Sequence, residues 1–258
     1  MKMRESRVLR KLRVGENVNC FKLNLCDGQV AELAAIAGFD CLWLDREHVV
    51  QDWSDIQAQT WAAKAFDTDV MVRVSRGSYS DYIKPFELGA TGIMVPHIMS
   101  LDDAKKVVHT TRFHPVGRRP IDGGNSDGGY TAIDLDEYLE QSNRQRFVVL
   151  QIEDPEPLDE LEAIAELEGY DMLFFGPGDF SHGIGAPGQW NHPKLVETRE
   201  LIAKVARKKG KFAGTVGGLG NLSQLIDMGY SFVNLGADVV GLTSYCKGLM
   251  EGVNSLDK

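Results

Sequence analysis

Eight short apolar segments alternate with helix-like segments along the whole chain. They lie at residues 18–24, 40–45, 69–75, 92–96, 146–153, 171–176, 211–216 and 232–236, and each is rich in valine, leucine, isoleucine or phenylalanine. Several are apolar at consecutive positions, as expected for strands that are buried on both faces of a parallel sheet. This alternation predicts an α/β fold with eight parallel strands.

Helical segments with recognisable end signals lie between these strands. Ser54 and Ser100 are predicted N-caps, and Gly38 and Gly89 end helices that precede a strand. Eight such units in 258 residues predict a single (β/α)8 TIM barrel over residues 1–258, with a short N-terminal helix. A doubly wound open sheet is the alternative, although no GxGxxG sequence follows the first strand. The helical segments are 29–38, 54–66, 80–89, 100–111, 157–169, 193–210, 221–229 and 239–252.

Charge and cysteine content narrow the functional classes. The formal net charge is -9 and the isoelectric point is about 5.2, which argues against nucleic-acid binding because that requires a basic face. Residues 1–14 lack the apolar centre of a secretory signal, and no stretch approaches the roughly 18 apolar residues of a membrane span. No CxxC pair occurs, which indicates reduced thiols in a cytoplasmic protein, with a zinc site as the alternative. The cysteines are Cys20, Cys26, Cys41 and Cys246.

Residues 112–134 form a long segment without clear periodicity, and they are rich in glycine, aspartate, asparagine and arginine. Unstructured segments of this length are uncommon inside compact domains and are often functional. Arg118 and Arg119 could bind a substrate carboxylate here, or they could be solvated or contact a neighbouring subunit.

Two carboxylates follow predicted strands at the end where TIM barrels place their active sites. Glu153 comes at the end of the fifth strand, and Asp179 lies three residues beyond the sixth. Oxygen ligands suit Mg²⁺ or Mn²⁺. We therefore predict Glu153 and Asp179 as metal ligands, with capping of the following helices as the alternative.

Asp45, His48 and Arg73 form a second group at strand ends. A contact between the Asp45 carboxylate and the His48 imidazole would raise the basicity of the imidazole and produce a general base; the alternative is a surface histidine at the start of a helix. Arg73 lies in an apolar strand, where a buried charge needs a partner. That partner is either an anionic or carbonyl ligand, or Asp45 or Glu47 in a structural ion pair.

Lys22 and His97 are weaker candidates. Lys22 lies in the first strand and could form a Schiff base with a carbonyl substrate, although a hydrogen-bonded lysine that supports the site is the simpler interpretation. His97 follows Pro96 at a strand end, where it lines the mouth or serves in packing.

Six segments together resemble one enzyme family, the HpcH/HpaI aldolases, which are class II metal-dependent pyruvate aldolases of the phosphoenolpyruvate/pyruvate barrel superfamily. The resemblance runs through nearly the whole chain, in order and with similar spacing. The segments are GFDCLWLDREH (38–48), VRVS (72–75), GIMVP (92–96), RFHPVGRR (112–119), QIEDPEPLDEL (151–161) and GPGDFSHGIG (176–185).

This resemblance implies a role for each matching position. Glu153 and Asp179 would bind a divalent ion, with Mg²⁺ or Mn²⁺ expected and Co²⁺ or Zn²⁺ as alternatives. Arg73 would contact the keto oxygen of pyruvate, and His48 with Asp45 would act as the acid/base pair. Gln151 would lie beside pyruvate, and the backbone of Gly178 and Asp179 would hold its carboxylate. Family members are homo-oligomers, so a trimer or hexamer is expected.

The implied reaction is the reversible retro-aldol cleavage of a 4-hydroxy-2-keto acid to pyruvate and an aldehyde, by way of a metal-bound enolate. Three other functions stay open. They are a decarboxylase or acyl-CoA lyase that uses the same enolate chemistry, a Schiff-base aldolase that uses Lys22, and a non-catalytic barrel. Many family members have an apolar residue where His97 stands and a small side chain where Gly178 stands, which leaves the acceptor aldehyde undefined.

Overall fold

A computed structural model describes residues 1–256; the last two residues of the predicted 1–258 domain lie outside them. Eight parallel strands form a closed barrel in which each strand pairs with the next and β8 pairs with β1. This confirms the predicted α/β barrel. The strands are β1 (Val18–Leu23), β2 (Cys41–Asp45), β3 (Asp69–Arg73), β4 (Gly92–Val95), β5 (Phe147–Ile152), β6 (Met172–Phe175), β7 (Phe212–Val216) and β8 (Phe232–Ala237).

The connections between strands are helical. Ser100 caps its helix as predicted, because its hydroxyl accepts the N–H of Asp103. The prediction for Ser54 is wrong: Asp52 is the N-cap, and it forms a capping box with Asp55. The helices are α1 (Arg7–Arg13), α2 (Gly28–Ile36), α3 (Trp53–Lys64), α4 (Tyr79–Glu87), α5 (Leu101–Thr111), α6 (Leu135–Gln145), α7 (Leu161–Glu166), α8 (Pro177–Gly183), α9 (Pro193–Lys208), α10 (Leu222–Met228) and α11 (Asp238–Leu256). Within residues 1–256, every helix is too short or too polar to cross a lipid bilayer.

The short N-terminal helix α1 closes the N-terminal end of the barrel. Its buried Leu9 packs in the same apolar cluster as the inward side chains of the strands. The buried carboxylate of Asp69 accepts the Ser6 hydroxyl at 2.6 Å and the Val8 N–H at 2.9 Å. Asp40 pairs with Lys11 at 2.8 Å. These carboxylates therefore anchor the N-terminal segment at the end of the barrel that lies opposite the strands' C-termini.

The barrel interior changes from apolar to polar towards the C-terminal ends of the strands. Successive residues of a strand alternate between the two faces of the sheet. Cys20, Trp43 and Met71 belong to the inner apolar cluster, so the residues two positions further along, Lys22, Asp45 and Arg73, lie on the same inner face. The sequence thus builds a polar layer on an apolar floor.

Residues 112–134 lie at the N-terminal end of the barrel, since they lead from α5 through α6 to the start of β5. Arg119 is buried, and its Nη1 lies 2.9 Å from the carboxylate of buried Asp127, which also pairs with Arg146. Arg146 immediately precedes β5. For Arg119, the interpretations as a ligand of a substrate carboxylate and as a solvated residue are therefore both wrong, because the side chain is buried and its charge pairs with Asp127.

Candidate active site

The candidate site lies where β1, β2, β3, β5 and β6 end. Lys22, Asp45, Arg73 and Gln151 occupy the last inward positions of their strands, and Glu153 follows β5 directly. The Arg73 guanidinium and the Lys22 ammonium lie 4.9 Å and 5.0 Å from the Trp43 ring centroid. The indole is therefore the floor beneath both cations.

Asp45 is fully buried and holds two cations. Its carboxylate accepts hydrogen bonds from Nε of Arg73, at 3.0 Å, and from Nη2 of Arg73. Nζ of Lys22 lies 2.7 Å from Oδ2 of the same carboxylate. Burial acts to raise the pKa of this carboxyl, but Arg73 and Lys22 outweigh burial and lower the pKa to about 2. Asp45 is therefore ionised at any physiological pH and fixes the direction of Arg73.

His48 does not form the predicted side-chain contact with Asp45. The carboxylate of Asp45 accepts the backbone N–H groups of Glu47 and His48, at 3.1 Å and 3.3 Å. The His48 side chain is 56% exposed, and its Nε2 lies 3.6 Å from Glu47 Oε2. Glu47 also lies 3.1 Å from Arg73 Nε. The structure therefore orients the His48 backbone through Asp45 and places the imidazole at the rim, beside Glu47.

Glu153 is a buried carboxylate, 1% exposed, and burial raises its pKa to about 7. Its Oε1 accepts a hydrogen bond from the backbone N–H of His97 at 3.0 Å, and its Oε2 accepts one from Nε2 of Gln151. In the described residues, no lysine or arginine forms an ion pair with it. A buried carboxylate in this state favours either a proton or a bound cation.

Asp179 lies next to Glu153 in the topology of the barrel. The ends of β5 and β6 pair at Ile152 and Phe175, so Glu153 and Gly176 follow at neighbouring strand ends. A Cβ on Gly176 would lie 2.6 Å from Glu153 Oε2, so only glycine leaves room for this carboxylate. Helix α8 starts at the next residue, and Asp179 is exposed in its first turn. Both predicted ligands therefore lie at the same end of the barrel.

The donors at this mouth suit a divalent cation. Five carboxylates lie here, and among the described residues the lysines and arginines that pair with them are Lys22 and Arg73. The buried Oε1 of Gln151 has no hydrogen-bond partner within residues 1–256. The same part of the chain contains no preassembled group of three or more His, Cys, Asp or Glu side chains arranged around one point. The carboxylates belong to Asp45, Glu47, Glu153, Asp154 and Asp179.

His97 and Asp154 are more closely tied to the site than the sequence indicated. The His97 Nδ1 lies 2.8 Å from Asp154 Oδ2, and its Nε2 lies 3.6 Å from Glu47 Oε1 and 3.9 Å from Glu153 Oε1. Burial acts to lower the pKa of His97, but these carboxylates outweigh burial and raise it. Asp154 directly follows Glu153 at a strand end. This position in the sequence is the feature that could have predicted that Asp154 contacts a residue of the site.

Sequence and structure comparisons agree on the relatives of this chain. A model of the HpcH/HpaI aldolase/citrate lyase family matches residues 21–244. A hydroxypyruvate/pyruvate aldolase of Pseudomonas aeruginosa is 32% identical over 234 residues, which cover 90% of this chain and 87% of the relative. A 2-keto-3-deoxy-L-rhamnonate aldolase of Escherichia coli O17:K52:H18 is 29% identical over 231 residues, which cover 89% and 86%. The crystal structure of an HpcH/HpaI aldolase from Desulfitobacterium hafniense DCB-2 has a TM-score of 0.90 at 25% identity, over 97% of this chain and 96% of that one.

Proposed function

The chain belongs to the HpcH/HpaI aldolase/citrate lyase family and is a carbon–carbon lyase, and from this premise we propose a specific reaction for it. The reaction is the reversible, metal-dependent cleavage of a 4-hydroxy-2-keto acid to pyruvate and an aldehyde. The observation that carries the proposal is Glu153, a buried carboxylate without a lysine or arginine partner in the described residues, beside the turn that bears Asp179.

Glu153 and Asp179 would hold the divalent ion, with Mg²⁺ or Mn²⁺ expected and Co²⁺ or Zn²⁺ as alternatives. Their oxygen donors suit hard ions, and Gly176 keeps the space that the Glu153 carboxylate occupies. When bound, such an ion supplies Lewis acidity to the carboxylate and carbonyl oxygens of the keto acid.

Arg73 is the proposed stabiliser of the enolate. Its guanidinium is fixed by Asp45 and Glu47, so its donors are oriented before the substrate arrives. A preoriented donor stabilises the charge that develops on the keto oxygen in the transition state. Gln151 would lie beside pyruvate. Its Nε2 donates to Glu153, and its buried Oε1, which has no hydrogen-bond partner within residues 1–256, is available to accept a hydrogen bond from a water molecule in the site.

The first turn of α8 would hold the carboxylate of pyruvate. N–H groups in the first turn of a helix have no partner within the helix. Those of Gly178 and Asp179 are in this position, and a Cβ at Gly178 would meet nothing within 4 Å. The open approach at Gly178 is consistent with a bound ligand.

His48 is the proposed acid/base residue and would act through a water molecule, since its imidazole is exposed at the rim. In cleavage, the base removes the proton of the C4 hydroxyl, and the O–H electrons form the aldehyde C=O bond. The C3–C4 bond breaks, its electrons form the C2–C3 double bond, and the C2–O π electrons move onto the keto oxygen to give the pyruvate enolate. The protonated base then returns its proton, through the water, to C3 while the C2–O double bond re-forms, which yields pyruvate.

The test replaces Glu153 with Ala and with Gln. Both variants should lose binding of Mn²⁺ in calorimetry and lose the release of pyruvate from 4-hydroxy-2-keto acids. Glu156→Gln is the matched control, because Glu156 is an exposed glutamate of the same strand-to-helix connection. Full activity of Glu153→Ala would remove the basis of the proposal.

The alternative is another lyase or decarboxylase that uses the same enolate-stabilising site. The family description includes citrate lyases. The proposed acid, base and ligand positions would serve each of these reactions. Release of pyruvate from several 4-hydroxy-2-keto acids, compared with turnover of oxaloacetate and malyl-CoA, separates the two functions.

Two further features of the protein are part of the proposal. Helix α11 exposes a series of large apolar side chains, which favours a homo-oligomer, a trimer or a hexamer. The four cysteines are free thiols, which is consistent with a cytoplasmic protein.

A further inference from the structure

His97 has a strained backbone that is tied to the proposed metal site. Its φ of 49° lies in the left-handed region, which residues other than glycine rarely adopt. Two hydrogen bonds stabilise this backbone conformation. Nη1 of Arg76 donates to the His97 carbonyl oxygen at 2.7 Å, and the His97 N–H donates to Oε1 of Glu153 at 3.0 Å. Such strain is characteristic of functional sites.

The imidazole of His97 is oriented by Asp154. Nδ1 lies 2.8 Å from Oδ2 of Asp154, so this nitrogen is hydrogen-bonded to the carboxylate. Nε2 is then the nitrogen that points into the site, towards Glu47 and Glu153. Histidines that bind metals almost always donate their other ring N–H to a carboxylate, a carbonyl or a water molecule, and Asp154 fills that position here.

The spacing of Nε2 and Glu153 Oε1 is close to that of two ligands of one ion. Two ligand atoms that each lie about 2.1 Å from an ion are roughly 3.0 Å apart when the bonds meet at a right angle and roughly 3.4 Å apart at the tetrahedral angle. The observed separation is 3.9 Å, so the two side chains would approach each other by roughly half an ångström to one ångström when they bind the ion. Glu153 can therefore keep its hydrogen bond to the His97 backbone while both side chains bind the same cation.

Resting on the proposed function, we propose that His97 Nε2 is a nitrogen ligand of the ion that Glu153 and Asp179 hold. A site with one imidazole and two carboxylates binds Co²⁺ and Zn²⁺ in preference to Mg²⁺, because imidazole suits transition metals and magnesium prefers oxygen. His97 thus shifts the metal preference of this chain from the Mg²⁺ that two carboxylates alone would favour towards Co²⁺ and Zn²⁺.

The test is pulsed electron paramagnetic resonance of Mn²⁺ bound to the full-length protein. The wild-type spectrum should show the hyperfine coupling of a directly bound imidazole nitrogen, and ¹⁵N-histidine labelling should change that coupling. The coupling should disappear in His97→Gln and persist in His48→Gln. It should also persist in the control His109→Gln, which alters an exposed histidine of α5.

Metal affinities provide a second measurement. The preference for Co²⁺ over Mg²⁺, measured by calorimetry, should fall at least tenfold in His97→Gln and stay unchanged in His109→Gln. The inference is overturned if wild-type protein binds Mn²⁺ without nitrogen coupling, or if the coupling survives in His97→Gln; the proposed function stands in both cases. If wild-type protein binds no divalent ion, the proposed function fails as well.

Discussion

Nζ of Lys22 lies 2.7 Å from Oδ2 of Asp45, on the carboxylate that also holds the guanidinium of Arg73. This ion pair gives the first-strand lysine a supporting position beside Asp45. A Schiff-base lysine must instead present a neutral amine to the substrate carbonyl. The contact therefore favours the simpler of the two interpretations of Lys22.

The first prediction concerns Lys22→Met, which keeps the length of the side chain and removes its charge. Asp45 retains Arg73, so the lost charged hydrogen bond should lower the free energy of unfolding by about 1.5 kcal/mol. Arg73 stays oriented, so kcat/KM should fall by no more than roughly tenfold. The control Lys204→Met, at an exposed position, should match wild-type kinetics. Complete loss of activity, together with inactivation of wild-type protein by borohydride and pyruvate, would identify a Schiff-base enzyme.

The second prediction concerns the pH dependence of metal binding. Burial raises the pKa of Glu153 to about 7, so the metal-free carboxyl is protonated below that pH and ionised above it. An ion must displace this proton at low pH, so its affinity should fall at least tenfold for each pH unit below 7. The fall should be steeper if His97 is also a ligand, because its carboxylate neighbours raise its pKa and it must lose a proton as well. The pKa of Asp45, about 2, keeps that group ionised over the same range. Mn²⁺ titrations from pH 5.5 to 8 measure this slope, and a constant affinity across the range would contradict the raised pKa.

The barrel and the position of its site could be predicted from sequence because their signals are local. Buried parallel strands need consecutive apolar residues, and this pattern is visible in the sequence. The strands β2 and β7 accordingly each start one residue after the predicted start and end at the predicted end. Inward and outward residues alternate, so the polar residue that ends an apolar run, such as Asp45 or Glu153, falls at the mouth.

What the sequence did not reveal depends on contacts between distant residues. Arg119 is buried because it forms an ion pair with Asp127, which also pairs with Arg146. The hydrophobic periodicity of the sequence does not predict this network. Helix α6 was missed, although Asp134 caps it by accepting the N–H of Asp136. The orientation of the His48 ring depends on its contact with Glu47, which in turn contacts Arg73. The spacing of residues in a motif does not predict such contacts.

The third prediction concerns Asp127→Ala. Asp127 is 1% exposed, and its removal leaves two buried guanidinium groups without their carboxylate. Breaking such a pair destabilises a protein by about 3 to 5 kcal/mol, which urea denaturation would measure. The control Asp227→Ala alters an exposed residue of α10 and should change the free energy of unfolding by less than about 0.5 kcal/mol. Since Asp127 lies opposite the mouth, KM for the keto acid should not change; a raised KM with normal stability would place the 112–134 segment in the active site.

The last prediction concerns the unpaired face of α11. In this helix only Asp238 is buried, whereas Leu242, Tyr245, Leu249, Val253 and Leu256 are each at least 50% exposed and are spaced by three or four residues. That spacing forms one apolar stripe along a helix, and an exposed stripe of this kind needs a partner surface. Leu249→Glu should therefore lower the mass measured by light scattering from three or six times 28.6 kDa towards the single chain. Lys247→Glu places the same charge on the same helix and should leave the mass unchanged, because its side chain lies outside the stripe. A single-chain mass for wild-type protein, or an unchanged mass for Leu249→Glu, would show that α11 does not hold the chains together.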